Sequence, residues 1–196
     1  MTIACLATAS LCACAVGSAD DASVDEVSRA AYVPIESPSL TLLTVVNNKT
    51  GAGGHTALIV SGSERVIFDP AGSFRHEQAT RRRDVIYGFS PGWEKTYKSA
   101  HARSTFHVVT QEIEVSRQQA EIALNLVKNN GSVPDAFCTN ATASILRQVP
   151  GFEDISVTFY PVKLMEQVAE RPGVVTEKYY ENDEGDVLDG IVVSDV

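Results

Sequence analysis

The chain has 196 residues, 44% of them apolar, which suits one domain with a substantial buried core. Its 16 Lys and Arg against 25 Asp and Glu give a formal net charge of −9, and this acidic excess argues against nucleic-acid binding. We therefore expect a single globular domain with no nucleic-acid partner.

The N-terminal stretch 2–16 has no charged side chain and holds three of the four cysteines. It is too short to span a bilayer as a helix, but it fits the apolar part of a signal peptide. The Leu-Cys-Ala-Cys run that ends at Cys14 resembles a bacterial lipobox, in which the last cysteine is lipidated and becomes the new N-terminus. We predict a lipoprotein signal peptide over 1–14, with palmitate in the anchor on Cys14. A buried N-terminal segment is the alternative.

The residues after Cys14 indicate where this anchor would lie. Ala15 and Val16 follow the cysteine, and by resemblance to known sorting signals they favour the outer membrane, facing the periplasm. The polar stretch 15–38 contains prolines and is predicted to link the anchor to the domain. The expected localisation is the bacterial cell envelope, with the membrane contacted through the N-terminal lipid.

The domain itself is predicted to cover 39–172, and its strands follow from runs of β-forming residues. Strands are expected at 40–46, 55–60, 65–68, 105–115 and 155–160. The stretch 70–104 has glycines and prolines spread through it and is predicted to be irregular. Beyond the domain, the acidic segment 173–196 is predicted to be a solvated tail.

Three helices are expected in the second half of the domain. Ser116, with Gln119 three residues on, forms a capping-box pattern that begins the first, which closes at the Asn-Asn-Gly run before residue 132. The second is expected at 135–148, where Pro150 and Gly151 stop it, and a short third helix at 161–170.

Cys138 is the one cysteine outside the predicted signal peptide, and it lies where a loop gives way to a helical pattern. A thiol in the first turn of a helix feels the positive end of the macrodipole, which favours the nucleophilic thiolate. A single cysteine with a histidine is the minimum equipment of a cysteine hydrolase or acyltransferase. A packed cysteine with no chemical role is the alternative.

His55 is the candidate base, because it begins a predicted strand directly behind Gly53 and Gly54 and has a pKa in the useful range. Such a base needs a partner that holds its productive tautomer. If the hairpin turn has three residues, Asp69 lies opposite Ala57 and on the same face as His55. A two-residue turn would point Asp69 away, leaving Glu64 or Ser73 as the orienting residue.

These residues resemble a known family. The hairpin sequences His-Thr-Ala-Leu-Ile-Val-Ser-Gly from His55 and Val-Ile-Phe-Asp-Pro-Ala-Gly-Ser from Val66 look like those of NlpC-type papain-like cysteine peptidases. Because the Phe-Cys-Thr motif at Cys138 follows the histidine, the resemblance is to the circularly permuted branch, which includes bacterial lipoproteins and lecithin–retinol acyltransferase-like enzymes. It covers about residues 40–170 and implies an α+β fold: an antiparallel half-barrel sheet packed against a Cys-bearing helix.

The resemblance also implies a function, with Cys138 as nucleophile, His55 as base and Asp69 as orienting residue. We expect a cell-envelope thiol hydrolase that cleaves amide bonds in peptidoglycan stem peptides or short peptides, through an acyl-enzyme. One alternative is a lipid acyltransferase or acylhydrolase of the same fold, acting on a lipid amide. The other is a non-catalytic scaffold that binds an envelope partner.

Other conspicuous residues receive plainer interpretations. His107 is predicted to be a satisfied strand residue, whereas His76 and His101 are predicted to be exposed to solvent. The run of three arginines that begins at Arg81 is predicted to be a solvated face, with contact to anionic headgroups or cell-wall polymer as the alternative. Trp93 could line a cleft or cover the core. No metal-ligand pattern is present, and no cofactor is expected.

Overall fold

The computed structural model describes residues 21–72 and 74–182. The predicted signal peptide, the proposed lipid anchor on Cys14 and the alternative orienting residue Ser73 lie outside the described residues. Within the described ranges, no helix is long and apolar enough to cross a membrane.

The described residues fold into helices and strands whose bounds are as follows. The helices are Val24–Ala30 (α1), Pro91–His101 (α2), Arg117–Asn129 (α3), Cys138–Leu146 (α4) and Pro161–Ala169 (α5). The strands are Ser39–Asn47 (β1), Gly53–Ser61 (β2), Arg65–Phe68 (β3), Arg81–Arg82 (β4), Val85–Ile86 (β5), Phe106–Glu114 (β6) and Val175–Tyr179 (β7).

The strands form one antiparallel sheet in the order β4-β5-β3-β2-β1-β6-β7, so the fold is α+β as predicted. Alternate residues of β1 enter two different apolar clusters, because successive side chains of a strand point to opposite faces. Leu40 and Leu42 pack with α3, α4 and α5, whereas Leu43 and Val45 pack with α2. The sheet is therefore covered on both faces, with α2 alone on one side.

The helix predicted after Ser116 is confirmed, including its capping box. The Ser116 hydroxyl accepts from the backbone N–H of Gln119, and the Gln119 side chain accepts in return from the N–H of Ser116. The apolar face of α3 then packs on the sheet through Ala120, Ala123, Leu124 and Val127. Local sequence signals were sufficient here because the cap, the apolar face and the stop all lie within one short segment.

Two stretches predicted to be outside the domain contain regular structure. The predicted linker 15–38 contains helix α1, which begins with a reciprocal capping box between Ser23 and Glu26. The predicted tail 173–196 begins with β7, which pairs with β6 from Val175 to Tyr179 and extends the sheet. An edge strand needs few apolar residues, since most of its side chains face water, so composition alone did not indicate it.

The stretch 70–104 is not irregular throughout, contrary to the sequence prediction. It forms β4, β5 and α2, and α2 begins with Ser90 as N-cap and Pro91 in its first turn. Pro91 and Gly92 were interpreted as breaks in structure. Proline is well tolerated in the first turn of a helix, because the missing N–H would have had no partner there.

The predicted strand 155–160 is also wrong, because this segment is an irregular loop leading into α5. Ile155 is buried in the core, but the aromatic end of the segment is exposed: Phe159 is 52% and Tyr160 71% exposed. The backbone N–H of Ser156 donates to the side chain of Gln167 instead of to a strand. This run of β-formers therefore ends in exposed aromatic residues rather than in a strand.

Candidate active site

The β2–β3 hairpin has the three-residue turn on which the prediction of Asp69 depended. Ser61 lies opposite Arg65 and Leu58 opposite Phe68, so residues 62–64 form the connection. One step further along this register, Asp69 faces the same side as His55. The two side chains are in direct contact: Nε2 of His55 donates to Oδ1 of Asp69 over 2.7 Å.

Asp69 is fully buried, and three side chains donate to its carboxylate. Besides His55, the hydroxyl of Tyr97 donates to Oδ1 over 2.7 Å, and Nη1 of Arg81 donates to Oδ2 over 3.0 Å. Burial alone would raise the pKa of Asp69, but the hydrogen bond and charge of His55, with the charge of Arg81, hold it well below its usual value. Asp69 is therefore a permanent anion at neutral pH.

Arg81 is not part of a solvated face, contrary to the sequence prediction. Its side chain is 13% exposed and lies between two carboxylates, donating to Asp69 and, over 2.9 Å, to Oδ1 of Asp84. The strand β4 turns the side chain inward, where a charge persists only when it is paired. A run of three arginines gives no sign of which member points into the protein.

Gly72 closes the site beneath Asp69, because a Cβ at this position would lie 1.9 Å from Oδ2 of the carboxylate. We expect Gly72→Ala to lower the free energy of unfolding by about 1–3 kcal/mol, since neither the backbone nor the threefold-bonded carboxylate has room to move. Gly62→Ala is the control, because the nearest atom there is the terminal Oε1 of the exposed Glu121–Ser63 pair, at 3.0 Å. Chemical denaturation of the two variants measures the difference, and equal stabilities would contradict the close packing.

His55 lies near the start of β2, with its side chain 16% exposed. Burial disfavours the charged ring, but the hydrogen bonds and charges of Asp69 and Cys138 outweigh it and raise the pKa of His55 to about 10. Since Asp69 occupies Nε2, proton exchange with the thiol must use Nδ1. The ring is thus fixed as an imidazolium between a carboxylate and a thiol.

Cys138 is the first residue of α4 and is 9% exposed. Burial alone would raise the pKa of the thiol. The hydrogen bond and charge of His55, with smaller contributions from the Thr139 hydroxyl and the Thr56 backbone N–H, instead lower it to about 7. A cysteine with this pKa is substantially ionised at neutral pH, as a nucleophilic thiol must be.

The N-terminus of α4 has no side-chain cap, because Phe137 occupies the N-cap position. By contrast, Ser23, Ser90 and Ser116 each accept from a backbone N–H at the start of α1, α2 and α3. The first N–H groups of a helix have no intrahelical acceptor. Those of α4 are therefore available beside the thiol to stabilise an oxyanion.

Sequence reasoning missed the residues that α2 contributes to the site. Trp93, Tyr97 and His101 follow one another at four-residue spacing on the buried face of this helix. Trp93 covers the core, packing edge-on against Phe74 at a centroid distance of 6.3 Å. The signal that could have found them was the Ser90-Pro91 helix start together with this spacing.

His101 is buried, so the prediction that it is exposed was wrong. Its ring stacks on His55 with centroids 6.0 Å apart and planes 13° from parallel, and Nδ1 donates to the carbonyl of Tyr97 over 2.8 Å. Burial lowers the pKa of His101 to about 4, which keeps this second ring neutral beside the imidazolium. The polar residues next to His101 in the sequence suggested exposure, whereas its position on the buried face of α2 places it inside.

The remaining predicted residues lie away from this cluster. Glu64 is at the hairpin tip and pairs with Lys128 over 2.5 Å, so it does not orient His55. His107 is satisfied by Asn48 over 2.6 Å, as predicted. His76 is half-buried against the ring of Trp93, which contradicts its predicted exposure. No group of His, Cys, Asp or Glu in the described part of the chain could hold a metal ion.

No protein-family profile, curated protein or solved structure matches the chain. The chemistry of the site therefore rests on its own geometry. Within 21–72 and 74–182, His55 is hydrogen-bonded to the buried carboxylate of Asp69, and its ring also lowers the pKa of the helix-start thiol of Cys138.

Proposed function

We propose that the chain is a thiol hydrolase with a permuted papain-like arrangement, in which Cys138 is the nucleophile, His55 the base and Asp69 the orienting residue. The observation that carries the proposal is the coupling of the three groups. His55 bonds Asp69 on one side and, against the effect of burial, lowers the pKa of Cys138 to about 7 on the other. This is the division of roles that an activated thiol requires.

The proposed reaction proceeds through an acyl-enzyme. The Cys138 thiolate attacks the carbonyl carbon of an amide, and the N–H groups at the start of α4 stabilise the oxyanion. His55 gives its proton to the leaving amine as the C–N bond breaks, which leaves an acyl thioester on Cys138. The neutral imidazole then takes a proton from water, the resulting hydroxide displaces the thiolate, and the carboxylic acid leaves. Nucleophile, base and orienting residue are all side chains, so the reaction needs no cofactor.

We place the substrate in the bacterial cell envelope, on the lipobox pattern that ends at Cys14. An enzyme anchored to the outer membrane and facing the periplasm meets peptidoglycan stem peptides and short peptides, whose amide bonds suit this chemistry. The family resemblance of the hairpin and of the Phe-Cys-Thr motif supports the same substrate class.

A second candidate function, hydrolysis or transfer of lipid acyl groups, is favoured by two exposed aromatic rings next to the thiol. Phe137 is 43% exposed and packs edge-to-face on Phe159 with centroids 5.1 Å apart. The loop that contains Phe159 ends at Pro161, which packs against Gly53. Gly53 is two residues before His55 in β2. The exposed rings thus border the elements that carry both the nucleophile and the base, where an acyl chain would lie.

One experiment separates these functions. The full chain is incubated with soluble muropeptides and with acyl p-nitrophenyl esters of increasing chain length, and products are identified by mass spectrometry and release of nitrophenol. Cleavage of the stem peptide supports the leading proposal. Activity that rises with ester chain length and loses that dependence in Phe159→Ala supports the lipid function. Ile35→Ala is the matched control, because Ile35 is 94% exposed outside the site.

Cys138→Ala must abolish either activity. If the wild-type chain cleaves neither class of substrate and Cys138 is no more reactive than free cysteine, both enzymatic functions are excluded. The non-catalytic scaffold would then account for the site.

A further inference from the structure

Four threonine side chains are fully buried behind the nucleophile, on the side where α4 and α5 pack on the sheet: Thr44, Thr56, Thr139 and Thr142. Thr44 lies opposite Thr56 in the β1–β2 pairing, so both point to this face of the sheet. Only one pair of these hydroxyls is bonded, Thr56 Oγ1 to Thr139 Oγ1 over 3.0 Å. Among the described residues, the hydroxyls of Thr44 and Thr142 have no hydrogen-bond partner.

The bonded pair, Thr56 and Thr139, lies next to the sulfur of Cys138. Oγ1 of Thr139 lies 3.8 Å from Sγ of Cys138, within hydrogen-bonding distance for sulfur. A hydroxyl has one proton to donate and two lone pairs that accept. If Thr56 donates to Thr139, the proton of Thr139 is left for the sulfur. A thiolate favours this orientation, because a hydrogen bond to an ion is stronger than one between neutral groups.

We propose that Thr139, oriented by Thr56, is a positioning residue that donates a hydrogen bond to the Cys138 thiolate and holds the sulfur toward His55. The proposal rests on the thiol chemistry inferred above and adds residues that touch neither substrate nor leaving group. Thr56 contributes in a second way, because its backbone N–H also helps to lower the pKa of the thiol.

The burial of the thiol is the reason such a donor matters. Cys138 is 9% exposed, so water cannot solvate the thiolate fully, and burial by itself would favour the neutral thiol. An unpaired anion in this position would be costly, whereas a fully bonded one is held rigidly. The imidazolium of His55 and the hydroxyl of Thr139 supply the donors that water does not.

The test measures the pKa of the thiol directly, as the pH midpoint of Cys138 alkylation by iodoacetamide, read by intact mass. Thr139→Val keeps the shape of the side chain and removes its hydroxyl, so we expect the midpoint to rise by about one pH unit. Thr139→Ser restores the donor and the wild-type midpoint. Thr142→Val is the matched control and should leave the midpoint unchanged, since that hydroxyl bonds nothing described.

Thr56→Val provides a second line of evidence that does not alter the helix. It should raise the midpoint by less than Thr139→Val, and the double variant should match Thr139→Val alone, because both substitutions interrupt one chain of donors. Circular dichroism establishes that each variant is folded. If Thr139→Val fails to fold, Thr56→Val and Thr139→Ser carry the test.

Two outcomes overturn the proposal: an unchanged midpoint in folded Thr139→Val, or an equal rise in Thr142→Val, which would indicate a packing effect. A folded Thr56→Val at the wild-type midpoint excludes the orienting role of Thr56. These outcomes differ from the one expected if the proposed function is wrong. If the proposed function is wrong, the thiol of the wild-type protein itself would titrate like free cysteine.

Discussion

Asp69→Asn is expected to reduce turnover by about 10⁴-fold, the effect of the same change to the orienting carboxylate in a serine-protease triad. An asparagine amide can donate to Nε2 of His55, which would leave the proton on Nδ1 and deprive the thiol of its base. The variant also loses the charge that helps to hold His55 as an imidazolium. Steady-state kinetics on the folded variant measure the loss, and it should fall on kcat more than on KM.

The same substitution should destabilise the protein. It leaves Arg81 without the buried one of its two carboxylate partners, and breaking a buried ion pair from one side costs about 3–5 kcal/mol. Kinetics are therefore measured at temperatures at which circular dichroism shows the variant to be folded.

Glu64→Gln is the matched control for Asp69→Asn, because it changes a carboxylate at the tip of the same hairpin. Its pair with Lys128 is partly exposed and worth about 0–1 kcal/mol at most. Stability and turnover should therefore stay close to the wild type. Full activity in folded Asp69→Asn, or an equal loss in Glu64→Gln, would contradict the role given to Asp69.

His55→Ala is expected to reduce turnover by about 10²–10⁴-fold, the usual contribution of a general base. It should also return the thiol toward the pKa of a free cysteine. At pH 6 the thiolate would become about 30-fold scarcer if its pKa rose from about 7 to about 8.5. Since a more basic thiolate is also more nucleophilic, the net loss of alkylation rate at pH 6 should be about 5-fold.

The control for His55→Ala is His107→Ala, which removes a histidine bonded to Asn48 on the neighbouring part of the sheet. It should change neither turnover nor the pH midpoint of alkylation. A midpoint that stays near 7 in His55→Ala would mean that the helix N-terminus alone activates the thiol. The pairing of Cys138 with His55 would then be wrong.

Local sequence signals predicted the candidate residues and, for a three-residue turn, the contact between His55 and Asp69, whereas the pairing of Cys138 with His55 was implied by the family resemblance. The Gly-Gly-His strand start, a short hairpin and a helix-start cysteine can each be recognised within a few residues. The hairpin register then converted two strand positions into a contact, since a three-residue turn leaves His55 and Asp69 on one face.

The surroundings of Asp69 could not be predicted in this way. Arg81 and Tyr97 donate to the carboxylate from β4 and α2. Both residues are distant from Asp69 in the sequence, so no local pattern indicates these contacts. Whether an arginine in a charged run points inward depends on the sheet it joins. His101 is a second example. Its polar neighbours in the sequence predicted exposure to solvent, but it lies on the buried face of α2.

The predicted strand 155–160 is a loop for a physical reason that bears on the proposed function. Strand propensity measures how well a side chain fits a pleated, half-buried surface, and Phe159 and Tyr160 have the right shape but no sheet to join. Their exposure next to α4 is the observation on which the proposed lipid function rests.

The alkylation of native wild-type Cys138 as a function of pH tests the central claim most directly, because it asks whether the thiol is ionised by the site. Intact mass after short exposure to iodoacetamide gives the rate at each pH, and peptide mapping assigns the modified residue. We predict labelling of Cys138 in the folded protein with a midpoint near pH 7, where the pKa of the thiol lies. A midpoint at or above that of free cysteine, or labelling only after denaturation, would contradict the account.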